Sequence, residues 1–472
     1  MNRALSGRFP QAVLLSLLAA PLASAESADA PSTRGMTIAV TNCNDSGAGS
    51  LRDAVARALS GDTIDMRKLA CNAITLSSGA IAIPQQDLGI QGPGRDRLTI
   101  NGSGDRVFDH QGGGLLQLKK LSIANGSGNA GGGCVYARGR VELRNVRVHH
   151  CIAGDTEDSI DFPASPYAAG GGLSALGDVS LYDSVVDYNK ASPWLSDSYT
   201  EAYGGGVYAG GKLIIERSRI SNNATESRGG RYEPGLGGGA YAASGVTANH
   251  ASILDNKGDY GGGGLHVSGS ATILNSIIAR NTSDGSPGGI SASGGPVIIL
   301  NSTLSGNIGS LYFGLDSVFP AGSVLQVRNA TTTIANSTIA FNRNLASNNA
   351  SCGGAIQTGS DSLLIESTIV ADNLCDYGSD KVESLDIRAV DIQGGRNLIQ
   401  KATSPLPADT IVADPQLAPL AANGGLTDTH ALPATSPAID TGANPYDLAY
   451  DQRGPGFPRV NGAQADIGAY ER

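Results

Sequence analysis

The sequence is short of the residues that usually build a globular core. Aromatics are 5% of the chain, with one Trp and 3 Met, and charged residues are 16%. After residue 25 no apolar run approaches the roughly 20 residues needed to cross a bilayer. No C-x-x-C spacing occurs, which argues against a zinc site. Also missing are G-x-S-x-G, H-E-x-x-H, P-loop and EF-hand patterns. Any active site must therefore be assembled from distant segments. Basic residues are outnumbered, 33 against 43 acids, and the formal net charge of −10 argues against nucleic-acid binding. With 40% hydrophobic residues the chain is not a disordered acidic tail either.

Gly is abundant: 65 of 472 residues, about twice the usual share. The first 25 residues read as a signal peptide. Arg3 and Arg8 precede the apolar stretch Ala12 to Leu22, and Ala23-Ser24-Ala25 is an A-x-A cleavage site. The expected mature chain begins at Glu26 and is secreted or displayed on a bacterial surface, without an integral membrane segment. Six Cys (43, 71, 134, 151, 352 and 375) in an exported chain suggest disulfides. Fifteen pairings are open; pairing sequence neighbours gives Cys43–Cys71, Cys134–Cys151 and Cys352–Cys375.

Glycine clusters recur at Gly131, Gly170, Gly204, Gly237, Gly261, Gly288 and Gly353, most followed by apolar-x-apolar-x-N-S-x-apolar-x-x-N. An apolar anchor column reads Val148, Val186, Ile220, Ile253, Ile278, Leu304, Ile339 and Ile369. Five places earlier stand Leu143, Leu181, Ile215, Ala248, Ile273, Ile299, Ile334 and Leu364. Three places later stand Cys151, Asn189, Asn223, Asn256, Asn281, Asn307, Asn342 and Asp372. Anchor spacings of 38, 34, 33, 25, 26, 35 and 30 residues mean fixed strands joined by variable loops. Strand side chains alternate faces, yet the apolar positions change parity inside each unit. A corner is therefore needed at the column Asn145, Asp183, Arg217, His250, Asn275, Asn301, Asn336 and Glu366, four of which are Asn, tolerant of left-handed backbone. One such unit cannot bury its apolar face alone, and stacking does so. The expected fold is all-β, a right-handed parallel β-helix. Units of 25 and 26 residues are too short for propeller blades.

The solenoid ends need covers. Ser50 and Asp53 form a capping pair, and Leu51, Val55 and Leu59 share one face, so Ser50–Ser60 is expected to be a capping helix. The expected divisions are 1–25 signal peptide, 36–130 cap and first coils, 131–402 repeats, and 403–472 a separate small C-terminal domain. In the last part stand Asp414-Pro415-Gln416-Leu417, Asn423-Gly424-Gly425, Thr429-His430, Ser436-Pro437-Ala438-Ile439-Asp440, Asp451-Gln452-Arg453-Gly454 and Asp466-Ile467-Gly468-Ala469-Tyr470-Glu471. These motifs resemble the choice-of-anchor Q domain that ends many exported bacterial β-helix proteins. The repeats, with S-L-R-D-A and G-D-T-I at the front, are similar to polymorphic outer-membrane repeat proteins. The resemblance implies a β-helix at the cell surface. With no anchor after Arg472, the mode of attachment is left open.

Three long loops, 152–169, 190–203 and 224–236, come from successive coils and should touch. They carry Trp194, Tyr167, Tyr199, Tyr203 and Tyr232, together with Asp155, Glu157, Asp158 and Asp161. Aromatic rings stack on sugar faces and carboxylates bind hydroxyls or Ca²⁺, which suits a polysaccharide or cell-surface glycan. The plainer reading is aromatics packed on the solenoid. Asp183, Arg217 and His250 stack as acid, base and imidazole and would be the catalytic candidates of a β-helix polysaccharide lyase or hydrolase; otherwise they are a solvated corner. His149-His150 is a weaker candidate of the same kind. The chain is expected to act as a monomeric, adhesin-like binding scaffold without a required cofactor, Ca²⁺ being the one ion its loops would suit; the alternatives are the lyase or hydrolase and a structural spacer.

Overall fold

The computed structural model describes residues 35–154, 167–193, 201–227, 235–285, 287–310, 324–346, 352–359, 362–378 and 381–472. The described chain winds into a parallel β-helix with three long sheets. Sheet I has 22 strands, two per coil in most coils, such as Val207–Ala209 and Leu213–Glu216. Sheet II has 12 strands, such as Ile277–Ala279, and sheet III has 10, such as Thr282–Ser283. Pairing is parallel and in register from coil to coil, for example Ile220↔Ile253 and Ile253↔Ile278. One antiparallel pair, Leu374–Asp376 with Val382–Ser384, folds back over the last edge of sheet III, which blocks further strand addition there.

The apolar columns are the core. Leu143, Leu181, Ile215, Ala248, Ile273, Ile299 and Ile334 from sheet I meet Val148, Val186, Ile220, Ile253, Ile278, Leu304 and Ile339 from sheet II in one buried cluster. The corner between them is left-handed in each of these units, with φ between 44° and 53° from Asn145 to Asn336. The eighth unit is displaced by one residue from the sequence alignment. Ile365 pairs with Ile334 and Val370 with Ile339, the corner is Ser367, and Asn373 takes the terminal place, instead of Leu364, Ile369, Glu366 and Asp372. The cause is local: E-S-T-I-V-A has no corner Asn, and its apolar run fits either register.

Two polar ladders tie the coils together. Asn281 donates from Nδ2 to Asn307 Oδ1 (3.0 Å) and to the Ile253 carbonyl (2.9 Å). Its Oδ1 accepts from the backbone N and Nδ2 of Asn256 (3.0 and 2.9 Å). The same pattern runs from Asn189 to Asn342, all buried. A second ladder uses Ser184, Ser218, Ser276, Ser302 and Ser337, whose hydroxyls accept backbone N–H groups from the neighbouring coil. The glycine clusters have a steric role: a Cβ at Gly263 would collide with the Thr282 and Gly288 carbonyls, and Gly262 has φ 65°.

Helix α1 spans Leu51–Arg57, shorter than expected. Ser50 caps it by accepting from the Asp53 N–H (3.2 Å). Leu59 was expected on its buried face but is 71% exposed. The chain becomes extended at Ala58 (ψ 147°), where the Asp62 carboxylate accepts the Leu59 N–H. All three neighbour disulfides form: Cys43–Cys71, Cys134–Cys151 and Cys352–Cys375.

Residues 403–472 contain no strand beyond isolated bridges and lie against the outer face of sheet II. Leu432, Ala438 and Ile467 pack on Ile369, Ala371 and Leu398, and Leu420 packs on Leu254, Ile277 and Ala279. Polar contacts fix the docking. Thr303 donates to Gln452 (2.6 Å), Ser305 bonds His430 Nε2 (2.8 Å), and Asn336 donates to the Ala443 carbonyl (2.8 Å). Inside the segment Asp451 holds Arg453 (2.7 Å), whose guanidinium lies 3.9 Å from the ring centres of both Phe457 and Tyr470. Arg459 is fully buried on Glu471 (2.8 Å).

Candidate binding face

The loop candidates divide. Trp194, Tyr199, Tyr232, Asp155, Glu157, Asp158 and Asp161 lie outside the described residues. Tyr167 and Tyr203 are described. They sit in Tyr167–Ala169 and Glu201–Tyr203, which pair with each other, and the second pairs with Gly235–Leu236, making a small lip beside sheet I. Tyr167 is exposed, and the Tyr203 hydroxyl donates to Glu201 (2.6 Å). Among the described residues no group of three or more His, Cys, Asp or Glu could hold a metal ion.

Asp183, Arg217 and His250 do stack, because each is a left-handed corner residue of successive coils. Arg217 is bonded to Asp183 (2.9 Å) and Glu216 (2.9 Å), with the Arg217 and Asp183 side chains about half exposed. His250 Nδ1 is buried without a partner, and burial lowers the imidazole pKa. A side chain at Gly454 of the C-terminal segment would meet its Cε1. At neutral pH this leaves an exposed, mutually neutralised ion pair beside an uncharged ring. His149 and His150 bond through their Nδ1 atoms (2.8 Å), His150 stacks on Tyr188, and burial pushes the His149 pKa down to about 4.

A different set of residues converges on the outer face of sheet I. In the strand after each glycine cluster the flanking residues point inward: Val207 and Ala209, Ala240 and Ala242, Leu265 and Val267 are buried. The middle residue must then point outward. In register, these middle residues read Tyr136, Ser174, Tyr208, Tyr241, His266, Ser291, Gln326, Gln357 and Arg388. Parallel pairing converts one strand position into a column along the whole solenoid. Tyr208 stacks on Tyr241 (centroids 5.4 Å, planes 8° apart), and Tyr241 stacks on His266 (5.1 Å, 3°). Tyr203 closes the side edge-on at 5.1 Å from Tyr241.

The column has a distinct electrostatic character. Burial, with Arg328 second, lowers His266 to about 4, so its ring is neutral. Its Nδ1 is buried and has no hydrogen-bond partner among the described residues. Burial raises the Tyr203 and Tyr208 hydroxyls above their ordinary pKa. Ser291 follows His266 and carries no ring, so the stack ends there. Beyond it a cleft of about 660 Å³ opens among Gln326, Arg328, Gln357, Thr358, Arg388 and their neighbours. The sequence reading missed this column because it aligned units on the last Asn. Aligned on the glycines, the signal was visible in GGGVYA, GGGAYA and GGGGLH.

No family model matches the chain, and no curated protein matches it. The family resemblance of residues 414–471 therefore rests on its motifs alone. Among solved structures, a PL6 alginate lyase in complex with a trisaccharide is similar over 84% of this chain and 92% of the other, at 11% identity and a TM-score of 0.32. A likeness that low carries no argument about site or chemistry.

Proposed function

We propose that the protein is an exported binding protein that takes an extended glycan along the outer face of sheet I. The observation that supports this best is the in-register stack Tyr208–Tyr241–His266, ending at Ser291. Faces inside the stack are covered by one another. In register beyond His266 stands Ser291, and the next bulky side chain of the column, Gln326, is two coils away, roughly 10 Å at the usual strand spacing. That gap is the height of one sugar ring laid on an aromatic face. Three disulfides fit an oxidising compartment and agree with export.

The lyase reading has less support. It needs a base whose pKa approaches neutrality, whereas Tyr203 and Tyr208 shift upward and His266 shifts down to about 4. A glycan-array screen of residues 26–472 tests the binding reading. Loss of signal in His266→Ala and Tyr241→Ala is expected. Undiminished binding in both variants would rule out this face. Trp194→Ala in the same screen tests whether the long loops contribute. Release of unsaturated chain ends from a bound glycan would turn the reading toward a lyase.

A further inference from the structure

We infer that the glycan bound on this face is acidic, its negative group held in the cleft of Arg328 and Arg388; the inference rests on the binding reading above and names its ligand class. The positive charge of the cleft carries it. Gln326 Oε1 is used by Arg328 Nη2 (3.3 Å), and Gln357 Oε1 is used by Gln326 Nε2 (3.1 Å). The side-chain acceptors of this relay are thus occupied from within. Donors remain beside it: the Gln357 Nε2 amide, which has no partner among the described residues, and the unused N–H groups of Arg328 and Arg388. Arg388 spends one nitrogen on the Cys352 carbonyl (3.1 Å), which orients its guanidinium. Among the described residues neither arginine has an ion pair, and none of the residues lining the cleft is acidic.

A cleft with two guanidinium groups and no acidic residue in its described lining suits a carboxylate or sulfate, which accepts their N–H groups in bidentate geometry. A neutral sugar hydroxyl would leave both charges without a counter-charge. The same column continues into the cleft, since Gln326, Gln357 and Arg388 follow Ser291 in register. A linear chain lying on His266 therefore reaches the arginines without turning. The net charge of −10 opposes a polyanion at long range, but that repulsion is screened beyond roughly 8 Å at physiological salt. Capture is thus a local event.

The test is a glycan array carrying neutral, uronate-containing and sulfated chains, probed with the wild type, Arg328→Gln/Arg388→Gln, Arg328→Lys, and Tyr241→Ala. Acidic chains should bind. The double Gln variant should weaken them about tenfold or more, Arg328→Lys, which keeps the charge but loses the bidentate geometry, should fall between the wild type and the double variant, and rising salt should weaken binding. The uronate and sulfate arms identify which anion is read. Binding confined to neutral chains and lost in Tyr241→Ala would overturn the acidic assignment while leaving the glycan reading intact. Acidic binding unchanged in the double variant, with an unaltered thermal midpoint, would also overturn it. Binding that survives Tyr241→Ala in every arm would remove the face itself.

Discussion

On the outer face of sheet II the later coils present Ile277, Ala279, Thr303, Ser305, Thr338, Ala340, Ile369 and Ala371; on the outer face of sheet I the same coils present His266, Ser291, Gln326 and Gln357. Both are columns made by the same parallel stacking. One is built of small and aliphatic residues, three of them hydroxyl-bearing, and is covered by residues 403–472. The other is aromatic and polar, and among the described residues His266 Nδ1 has no partner. On the earlier coils sheet II changes character, presenting Arg147, paired with Asp187 at 2.8 Å, and Arg219. A solenoid thus states on its outside which coils the chain covers and which it leaves for solvent or a ligand.

The sharpest way to break this contrast is to spoil the cover. Ile467 is fully buried among Ile369, Leu398 and Leu432. Ile467→Asp places an unpaired carboxylate there and should cost more than about 4 kcal/mol. Hydrogen exchange should show the loss concentrated in sheet II from Ile277 onward. Tyr241→Ala on the open face should leave the exchange pattern nearly unchanged. If both variants lose protection equally, the two faces do not differ in the way described.

The interior ladder comes next in size. Asn281→Ala removes four buried hydrogen bonds and takes that partner from the Asn256 N–H groups and the Ile253 carbonyl, while Asn307 Oδ1 keeps the Asn281 N–H. A loss of about 3 kcal/mol is expected from denaturant midpoints. A loss below about 1 kcal/mol would mean that water or relaxation replaces the ladder.

The fold was legible because its determinants repeat and point inward. Ile273, Ile278, Asn275 and Asn281 are each fixed by a position that must be apolar, left-handed or hydrogen-bonded in every coil. Legibility failed where a unit lost its marker: without a corner Asn, Glu366-Ser367-Thr368 was read one residue out of step. It failed again at Leu59, where a carboxylate from Asp62 ends the helix early. The outward column was harder to read, since nothing forces Tyr208, Tyr241 and His266 to be alike. Only the register that places them together reveals them, and that register follows the glycines. Asp183, Arg217 and His250 were easily aligned, but what they share is a backbone conformation.

The end of the ladder gives a pH test. Asn373 has no further Asn to meet and donates instead to Asp386 (2.8 Å), a carboxylate with no exposed surface that also accepts from the Gln400 and Lys401 N–H groups. Burial raises Asp386 from 3.8 to about 6. The folded pKa lies above the unfolded one, so this group's contribution is fully present below about pH 4. It is lost as pH rises through about 6. The shift corresponds to between about 2 and 3 kcal/mol. The stability difference between the wild type and Asp386→Asn should move by that amount between pH 4 and pH 7, the wild type losing ground at higher pH. A difference that stays flat across this range would place the raised pKa elsewhere.

The smallest expected effect bears on the charged corner. Arg217 pairs with Asp183 and Glu216 at an exposed position, where such pairs contribute about 0–1 kcal/mol. Its backbone is left-handed (φ 44°), which Asn tolerates better than Arg. Arg217→Asn loses the ion pairs and gains a residue suited to the corner, as in Asn275, Asn301 and Asn336. The two terms oppose each other, so the thermal midpoint should change little and glycan binding not at all. A large loss of binding would make the corner column, and not the outer face of sheet I, the site. A large loss of stability would mean that the corner is held by its charges more than by its backbone.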